Sequence, residues 1–540
     1  MGSVNRVRLG AFLVAVVAAY AVVTLAKGGF YIGKHEGDML HLLQIVFREA
    51  QGQWPHLDFQ TPIGVLATAP IALFVTLGFG VGMAILLSQV LVAAVALPAV
   101  WRVAESRFAG VWAYLFGGFV LVLILALVHG ETERAVSFSM HYNRWAWAAA
   151  FLAIAPAVLA PREGRAAPMA DGLVIGFALS VLALVKVTYF GAFLIPVAVA
   201  LIGRGAWRSI ATALGVGVVV AAVVTLMAGT PLFWLAYLRD LFTVAGSEVR
   251  PQPGLPFAAV IGAPAYMGGS VVALLGVIFL RQAGRQLEGL VLLLLVPAFF
   301  YVQYQNWGND PQWLGLLGLL LITLQPAQEI RNGFGWDVTK GLGVLATAAF
   351  VFAAPSALNL AYSPLRHLVV DTETHTPVLP GSGVHEDLRT PAIRALMLDG
   401  KQALDLAGSP FHDFADPELR ENLTEWNGEV WPECMIDLGL ITWFDAISDD
   451  LEASGLAEGK TAFAADILSS FWMFGAFEPL PGASPWYYGG LPGFENADYL
   501  IVPRCPLSTK VRRLVLEEVE AADVALTEVR RNEMYVLYEK

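Results

Sequence analysis

The chain has 540 residues, of which 57% are hydrophobic and only 14% are charged. These values exclude an ordinary soluble protein, because the bilayer must be the solvent for most of such a chain. The net charge of −12 is unevenly distributed: residues 360–540 hold 30 acidic and 13 basic residues, which leaves 15 acidic and 20 basic residues for the rest. An acidic C-terminal region also argues against nucleic acid as a partner, since phosphate contacts need clustered Lys and Arg.

The first apolar run, residues 9–26, follows Arg6 and Arg8 in the manner of a secretory signal peptide. It is long enough to span a bilayer and ends in a poor cleavage sequence, so we interpret it as a membrane helix. Ten more apolar windows follow, at residues 81–101, 109–128, 146–160, 171–187, 189–203, 209–228, 262–280, 287–301, 312–325 and 341–357. Each can cross a hydrocarbon core of ~30 Å, so the sequence predicts a polytopic α-helical membrane protein with about eleven transmembrane helices.

The basic residues of the short connectors predict how this bundle is oriented. Five connectors with paired positive charges alternate with connectors that are poor in them, and the positive-inside rule makes these five cytoplasmic: Arg102 and Arg107, Arg162 and Arg165, Arg204 and Arg208, Arg281 and Arg285, and Arg331 and Lys340. Because the first loop is outside and Arg102 is cytoplasmic, the chain must cross the membrane an odd number of times between them. Residues 62–101 therefore form one crossing. We therefore expect a re-entrant or juxtamembrane helix at 62–78, ended by Gly78, before the crossing at 81–101.

Residues 1–359 then form the bundle of a bacterial inner (plasma) membrane protein. The loop at 27–61 and the C-terminal domain at 360–540 are expected outside the membrane, on the periplasmic or extracytoplasmic side. In the loop, apolar residues recur at helical spacing from Met39 to Phe47, with polar residues on the opposite face. We expect an amphipathic helix that lies on the outer membrane surface. Asp38 at its start is either an N-cap or a functional carboxylate.

A polar, turn-rich strip follows at residues 52–64 and runs into the next apolar helix. An acidic residue that opens a surface helix, then Gly-x-x-Pro-x-x-Asp-Phe, then Pro62 at the mouth of an apolar helix, resembles the first outer loop of the GT-C glycosyltransferases. That superfamily includes the protein O-mannosyltransferases and the lipid A aminoarabinose transferases, which take sugars from polyprenyl phosphates. The resemblance covers the loop and the layout of residues 1–357, and it implies a GT-C-like catalytic bundle.

The resemblance also implies that Asp38 acts as the general base or as a metal ligand. A carboxylate within hydrogen-bond reach can take the proton that an acceptor hydroxyl loses as it attacks the anomeric carbon. Glu36 is then either a second carboxylate or a bystander, and with Asp38 it offers oxygen ligands to a divalent cation. Asp58 is the alternative base, although capping of a turn explains it more simply. The resemblance implies no nucleotide and no soluble cofactor.

Other candidates for substrate binding lie at the predicted outer face. His41 shares the polar face of the surface helix. His141, Asn143 and Arg144 end the loop at 129–145, at the depth where a lipid-linked donor has its phosphate. An interfacial aromatic belt with a snorkelling Arg144 explains the same residues equally well.

Lys186 lies between two apolar spans, close to Tyr189, where a charge is expensive. A phosphate partner or simple snorkelling explains it. The segment around Asn306 and Asp310 combines amides, one acid and tryptophans, which is typical of a carbohydrate subsite or of a plain interfacial turn. Weaker phosphate candidates in the loop at 229–261 are Arg239 and Arg250.

The C-terminal region predicts a small α/β or α+β domain, with buried strands at 461–468 and 497–502, an amphipathic helix at 510–524 and a closing strand at 534–538. Its two cysteines, Cys434 and Cys505, either pair in an oxidising compartment or remain buried free thiols. In many GT-C enzymes such a domain covers the active site, and the resemblance implies a role in holding the acceptor.

The leading hypothesis is an inverting glycosyltransferase that moves a sugar from a polyprenyl-phosphate donor to an extracytoplasmic glycan, lipid or protein. The sequence contains no recognisable zinc, Walker or dinucleotide pattern. One alternative is a transporter or flippase of a lipid-linked glycan, which would place polar residues near mid-membrane in broken helices. The other is a non-enzymatic envelope assembly protein, which has no need for Asp38, Lys186 and Arg144 to converge.

Overall fold

The computed structural model describes residues 5–130, 133–250, 256–305, 311–405, 409–416 and 424–540. Residues up to 368 are mainly helical, and the remainder forms a mixed domain. The helices of the first part are α1 (Arg6–Leu25), α2 (Glu36–Ala50), α3 (Ala69–Thr76), α4 (Val81–Arg107), α5 (Val111–Leu125), α6 (His141–Val158), α7 (Pro168–Val185), α8 (Val187–Gly203), α9 (Trp207–Met227), α10 (Leu232–Ala245), α11 (Phe257–Gly262), α12 (Pro264–Gln282), α13 (Gln286–Gln305), α14 (Trp313–Leu324) and α15 (Val338–Leu368).

The long apolar helices indicate a membrane protein. Within the described ranges, seven helices are long and apolar enough to cross a membrane, namely α1, α4, α7, α9, α12, α13 and α15. The helices α5, α8 and α14 are apolar but shorter. Large apolar side chains such as Leu226 and Val218 of α9 are exposed on the outside of the bundle, as expected where lipid is the solvent. Each of the eleven predicted windows falls on a separate helix, although the number of crossings stays a prediction.

Residues 62–80 form the short element that the sequence predicts. A single 3₁₀ turn at Val65–Ala67 leads into α3, which has only eight residues. At 1.5 Å per residue, α3 is about 12 Å long and too short to cross a core of ~30 Å. The chain then turns at Gly78, whose φ of 88° is readily adopted only by glycine.

The helix α2 does not lie on the membrane surface as predicted. Gln44 and Arg48, on its polar face, are almost completely buried. The Gln44 side-chain amide donates to the hydroxyl of Ser470 and to the carbonyl of Pro485, and the Arg48 guanidinium lies over the ring of Trp472 at 5.4 Å. The expectation of a surface helix is wrong because the C-terminal domain covers the polar face. The helix is a layer between the bundle and the domain.

The C-terminal region combines short strands with helices. Its strands are β2 (His375–Pro377), β3 (Leu388–Pro391), β4 (Asp399–Gln402), β5 (Glu425–Trp426), β6 (Glu429–Val430), β7 (Cys434–Leu438), β8 (Ala462–Ala464), β9 (Tyr499–Pro503), β10 (Thr527–Arg531) and β11 (Tyr535–Glu539), and its helices are α16 (Ala392–Leu396), α17 (Leu440–Ala453) and α18 (Thr509–Ala521). The main sheet has the order β10-β11-β9-β8, with β8 and β9 parallel and the other pairs antiparallel. The predicted helix at 510–524 and the strands at 497–502 and 534–538 are confirmed, whereas the strand predicted at 461–468 is extended only at Ala462–Ala464.

The first loop and the C-terminal domain share a sheet. The strand β1 (Phe30–Tyr31) pairs in parallel with β3, and β2 pairs with the other edge of β3. The carboxylate of Asp387 accepts the backbone N–H groups of Gly82 and Met83 at 2.8 and 2.7 Å, at the start of α4. A Cβ on Gly82 would lie 2.5 Å from the carbonyl oxygen of Asp387, so the backbones approach closely only because residue 82 is glycine. We call this end of the bundle the domain side.

The opposite end of the bundle, which we call the far side, carries ion pairs around two buried carboxylates. Glu105 pairs with Arg6 and Arg165 at 2.8 and 2.7 Å. Asp171 pairs with Arg102 and Arg107 at 3.0 and 2.7 Å. The arginines of two predicted cytoplasmic connectors therefore gather, together with Arg6, at the end of the bundle that faces away from the domain.

Cys434 and Cys505 form a disulfide that links β7 to the segment after β9. The alternative of two buried free thiols is wrong. The bond joins residues 71 positions apart, which restricts the unfolded chain and stabilises the domain by about 4 kcal/mol in the chain-entropy description.

Reduction of this disulfide is expected to lower the thermal unfolding temperature of the wild-type protein. The double variant Cys434→Ser and Cys505→Ser should begin at that lower temperature and show no further response to reductant. Differential scanning fluorimetry of both proteins, with and without dithiothreitol, measures this. Equal unfolding temperatures for oxidised and reduced wild type would contradict the prediction.

Candidate functional site

The first turn of α2 presents Asp38 to the loop between α5 and α6. The helix begins at Glu36, and His35 before it has a φ of 73°, so Asp38 lies inside the first turn and the N-cap interpretation is wrong. Its Oδ2 accepts a hydrogen bond of 2.5 Å from the hydroxyl of Ser139, and the side chain is half-buried. A carboxylate that already accepts one hydroxyl hydrogen bond is suited to receive a proton from a second hydroxyl.

Two histidines outside the predicted set flank this carboxylate. His35 Nδ1 lies 3.0 Å from the hydroxyl of Ser137, and its ring centroid lies 5.5 Å from that of His129. Burial lowers the pKa of both imidazoles, and the negative charge of Asp38 opposes this only in part. Both are therefore neutral at neutral pH and serve as hydrogen-bonding groups. His129 lies in an irregular loop, where no periodicity in the sequence could have indicated it.

Beside this carboxylate site, a cavity of about 370 Å³ is bordered by basic residues. Lys186, between α7 and α8, donates to Oδ1 of Asn143 at 3.0 Å and lies 4.9 Å from the ring centroid of Tyr142. Arg250 lines the same cavity and interacts electrostatically with Lys186. Two basic side chains brought together in a partly buried cavity are suited to hold an anion between them.

The carboxylate and the basic cavity belong to one site. His41, Tyr142 and Tyr488 each interact electrostatically with both Asp38 and Arg250. The ring of His41 lies 5.4 Å from that of Trp486 in the C-terminal domain, and the Arg250 guanidinium hydrogen-bonds the hydroxyl of Tyr488.

The C-terminal domain therefore contributes aromatic side chains to the same site. Burial raises the pKa of Tyr488, so its phenol is neutral and able to act as a hydrogen-bond donor. Neither Trp486 nor Tyr488 was predicted from the sequence. The dense aromatic run at 486–488 is the one signal in the sequence that could have indicated them.

The other carboxylates of the first loop are engaged elsewhere. Glu36 is buried, its two oxygens accept from the Arg394 guanidinium at 2.7 and 2.9 Å, and Oε1 also accepts from Thr390 at 2.6 Å. Glu36 is therefore not available as a second ligand to a cation at Asp38. Asp58 accepts the backbone N–H of Trp54 at 2.6 Å, which is the turn-capping role.

Three of the predicted residues are buried next to the site. His141 is fully buried, and its Nε2 lies 2.8 Å from the carbonyl of Ala67. Tyr189 is buried among aromatic rings, with Trp147 at 5.2 Å. Arg144 is buried, donates to the Leu123 carbonyl at 3.1 Å, and has two nitrogens, Nε and Nη2, without a hydrogen-bond partner among the described residues. Arg144 interacts electrostatically with His129, which places it on the Asp38 side.

The remaining predicted positions, Asn306 and Asp310, lie outside the described residues. Within the described ranges, no group of three His, Cys, Asp or Glu side chains is arranged to hold a metal ion.

Comparison with known proteins adds no family assignment. No family model, no curated protein and no solved structure matches the chain significantly. Function therefore has to be argued from the site itself.

The environment of His41 makes the stability of the site depend on pH. Burial lowers the pKa of His41 from 6.5 to about 4, so the folded protein holds this imidazole neutral where the unfolded chain protonates it. The neutral imidazole contributes fully to the free energy of unfolding above pH 6.5, and this contribution is lost as the pH falls towards 4. At pH 5 the loss is about 2 kcal/mol.

The variant His41→Phe is expected to lose less stability than wild type between pH 7.5 and pH 5. The aromatic ring can still pack against Trp486, but it does not titrate. Unfolding temperatures at both pH values measure the difference, and a variant as sensitive to acid as wild type would contradict it.

Proposed function

We propose that the chain is an inverting glycosyltransferase of the GT-C type. It moves a sugar from a polyprenyl-phosphate donor to a glycan, lipid or protein acceptor outside the membrane. The observation that carries the proposal is that Asp38 lies beside the cavity lined by Lys186 and Arg250, where the bundle meets the C-terminal domain. An acid that can accept a proton and cations that can hold a phosphate are the two requirements of this reaction.

The proposal includes the orientation expected from the sequence. Eleven helices cross the membrane, the basic far side is cytoplasmic, and the domain side is periplasmic. Two observations support it: each predicted window falls on a separate helix, and the arginines of two connectors gather with Arg6 at the end away from the domain. The site then opens to the compartment in which a disulfide between Cys434 and Cys505 persists.

In the proposed reaction the acceptor hydroxyl attacks the anomeric carbon of the donor sugar. Its proton passes to the carboxylate of Asp38, and a new bond forms between the acceptor oxygen and the anomeric carbon. The bond from that carbon to the phosphate oxygen breaks, and the polyprenyl phosphate leaves with the electron pair. Lys186 and Arg250 stabilise the negative charge that develops on the leaving phosphate. Attack from the face opposite the phosphate inverts the anomeric configuration.

The C-terminal domain closes the site from the acceptor side in this proposal. Trp486 offers an aromatic face for a sugar ring or a lipid, and Tyr488 offers a hydroxyl donor. Because the loop of Asp38 and the strand β3 share a sheet, the domain is a fixed wall of the site.

The variant Asp38→Asn is expected to lower kcat by two to four orders of magnitude, because the amide cannot accept the acceptor proton. Asp58→Asn is the matched control, since Asp58 only caps a turn and its loss should change kcat less than threefold. Radiolabelled polyprenyl-phosphate sugars and a cell-envelope acceptor extract provide the assay. Full activity of Asp38→Asn would remove Asp38 as the base. Absence of transfer by wild type with every donor would instead favour the transporter or assembly alternatives.

The variants Lys186→Gln and Arg250→Gln are each expected to raise KM for the donor about tenfold or more, because each removes a charge-assisted contact to phosphate. Arg134→Gln is the control, an exposed arginine on the loop that contains Ser139. Steady-state kinetics with varied donor concentration measure this. If the two variants changed KM no more than the control, the cavity would not hold the donor phosphate.

A further inference from the structure

A second cavity lies on the far side of the bundle, at the opposite end from Asp38. It has a volume of about 710 Å³ and is bordered by the ends of α7, α8, α9 and α13. Three arginines line it, Arg107, Arg204 and Arg208, together with the carboxylates of Asp171 and Glu288.

The charges of this cavity do not cancel. Asp171 is shared by Arg107 and by Arg102, at 2.7 and 3.0 Å, so one carboxylate faces two guanidinium groups. Glu288 lies 3.6 Å from Arg204, and Arg208 is exposed. The cavity therefore has an excess of positive charge.

One of its arginines is also incompletely bonded. Arg107 is 3% exposed, and its Nη2 donates to Asp171 at 2.7 Å. Its Nε, however, is buried and has no hydrogen-bond partner in the part of the chain that the structure describes. A buried donor without an acceptor is costly, so the protein neighbours of Arg107 do not fully satisfy its guanidinium group.

An apolar groove continues from this cavity between α7, α8 and α9. It has a volume of about 530 Å³ and an almost wholly apolar lining, and Ile175, Leu201 and Trp207 border both spaces. Along α9 the groove runs from Trp207 to Ala221, which at 1.5 Å per residue is about 21 Å. A chain that enters the groove at the far side therefore reaches past the middle of a hydrocarbon core of ~30 Å.

We propose that the cavity and the groove together form a binding site for an anionic phospholipid of the far-side leaflet. The phosphate lies among Arg107, Arg204 and Arg208, and one acyl chain lies in the groove. Basic pockets between transmembrane helices on the cytoplasmic side recognise acidic headgroups by this combination of charge and apolar contact. A zwitterionic headgroup is disfavoured because its amine would meet the same arginines. The site is independent of the proposed transferase, since it lies at the other end of the bundle.

Native mass spectrometry of the full-length protein tests the proposal, with phosphatidylglycerol and phosphatidylcholine of identical acyl chains as probes. Wild type is expected to retain one phosphatidylglycerol at least tenfold more tightly than phosphatidylcholine. Millimolar inorganic phosphate should not displace it, because phosphate lacks the acyl chain.

Two pairs of variants separate the groove from the headgroup pocket. Gly217 lines the groove, and Gly215 on the same helix does not; a Cβ on either meets no atom within 4 Å. Gly217→Leu should fill the groove and weaken phosphatidylglycerol binding at least tenfold, whereas Gly215→Leu should leave it unchanged. The double variant Arg204→Gln and Arg208→Gln should abolish the preference for phosphatidylglycerol. Its control is Arg331→Gln, an exposed arginine paired with Glu329.

Equal binding of the two phospholipids by wild type would overturn the proposal. So would equal losses in Gly217→Leu and Gly215→Leu, or displacement of the lipid by inorganic phosphate. A polyprenyl phosphate that displaces phosphatidylglycerol from both wild type and the double arginine variant would assign the groove to the donor's tail instead.

Discussion

The ion pair between the buried carboxylate of Glu36 and the half-buried Arg394 holds the domain side together. Burial alone would raise the pKa of Glu36, but hydrogen bonds from Arg394 and Thr390 outweigh it and lower that pKa. A charge at 5% exposure persists only with such partners. Because Glu36 opens α2, fixing its carboxylate fixes the first turn of the helix. Asp38 lies two residues further on and is therefore positioned by a contact in which it takes no part.

Much of the helical bundle could be predicted from the sequence, because a helix in lipid needs a long apolar run and little else. The surroundings of α2 could not. Periodicity separated Gln44 and Arg48 from the apolar face, but it carries no information about what covers a polar face. Water, lipid headgroups and another domain all suit such residues, and the structure shows that the domain covers them.

The candidate site was predictable only where a charge stood out against an apolar background. Asp38 and Lys186 are visible in the sequence for that reason, and the structure places Asp38 beside the cavity that Lys186 lines. Glu36 stands out equally, yet its partner Arg394 is 358 positions away, and no local pattern reports a contact at that distance. Tyr488 and His129 lie in irregular segments, where the approach of distant backbone decides which side chains meet.

The parallel pairing of Phe30 with Leu388 has a consequence for biosynthesis. The ribosome makes the N-terminal end of a chain first, so the segment that carries Asp38 reaches its side of the membrane long before its neighbours in the sheet exist. Until residue 388 has been translated, β1 has no partner strand and the first turn of α2 has no counter-ion. A nascent chain that terminates before residue 388 therefore lacks the C-terminal residues that line the site. The last third of the chain must be translated before the site that contains Asp38, in the first tenth, is complete.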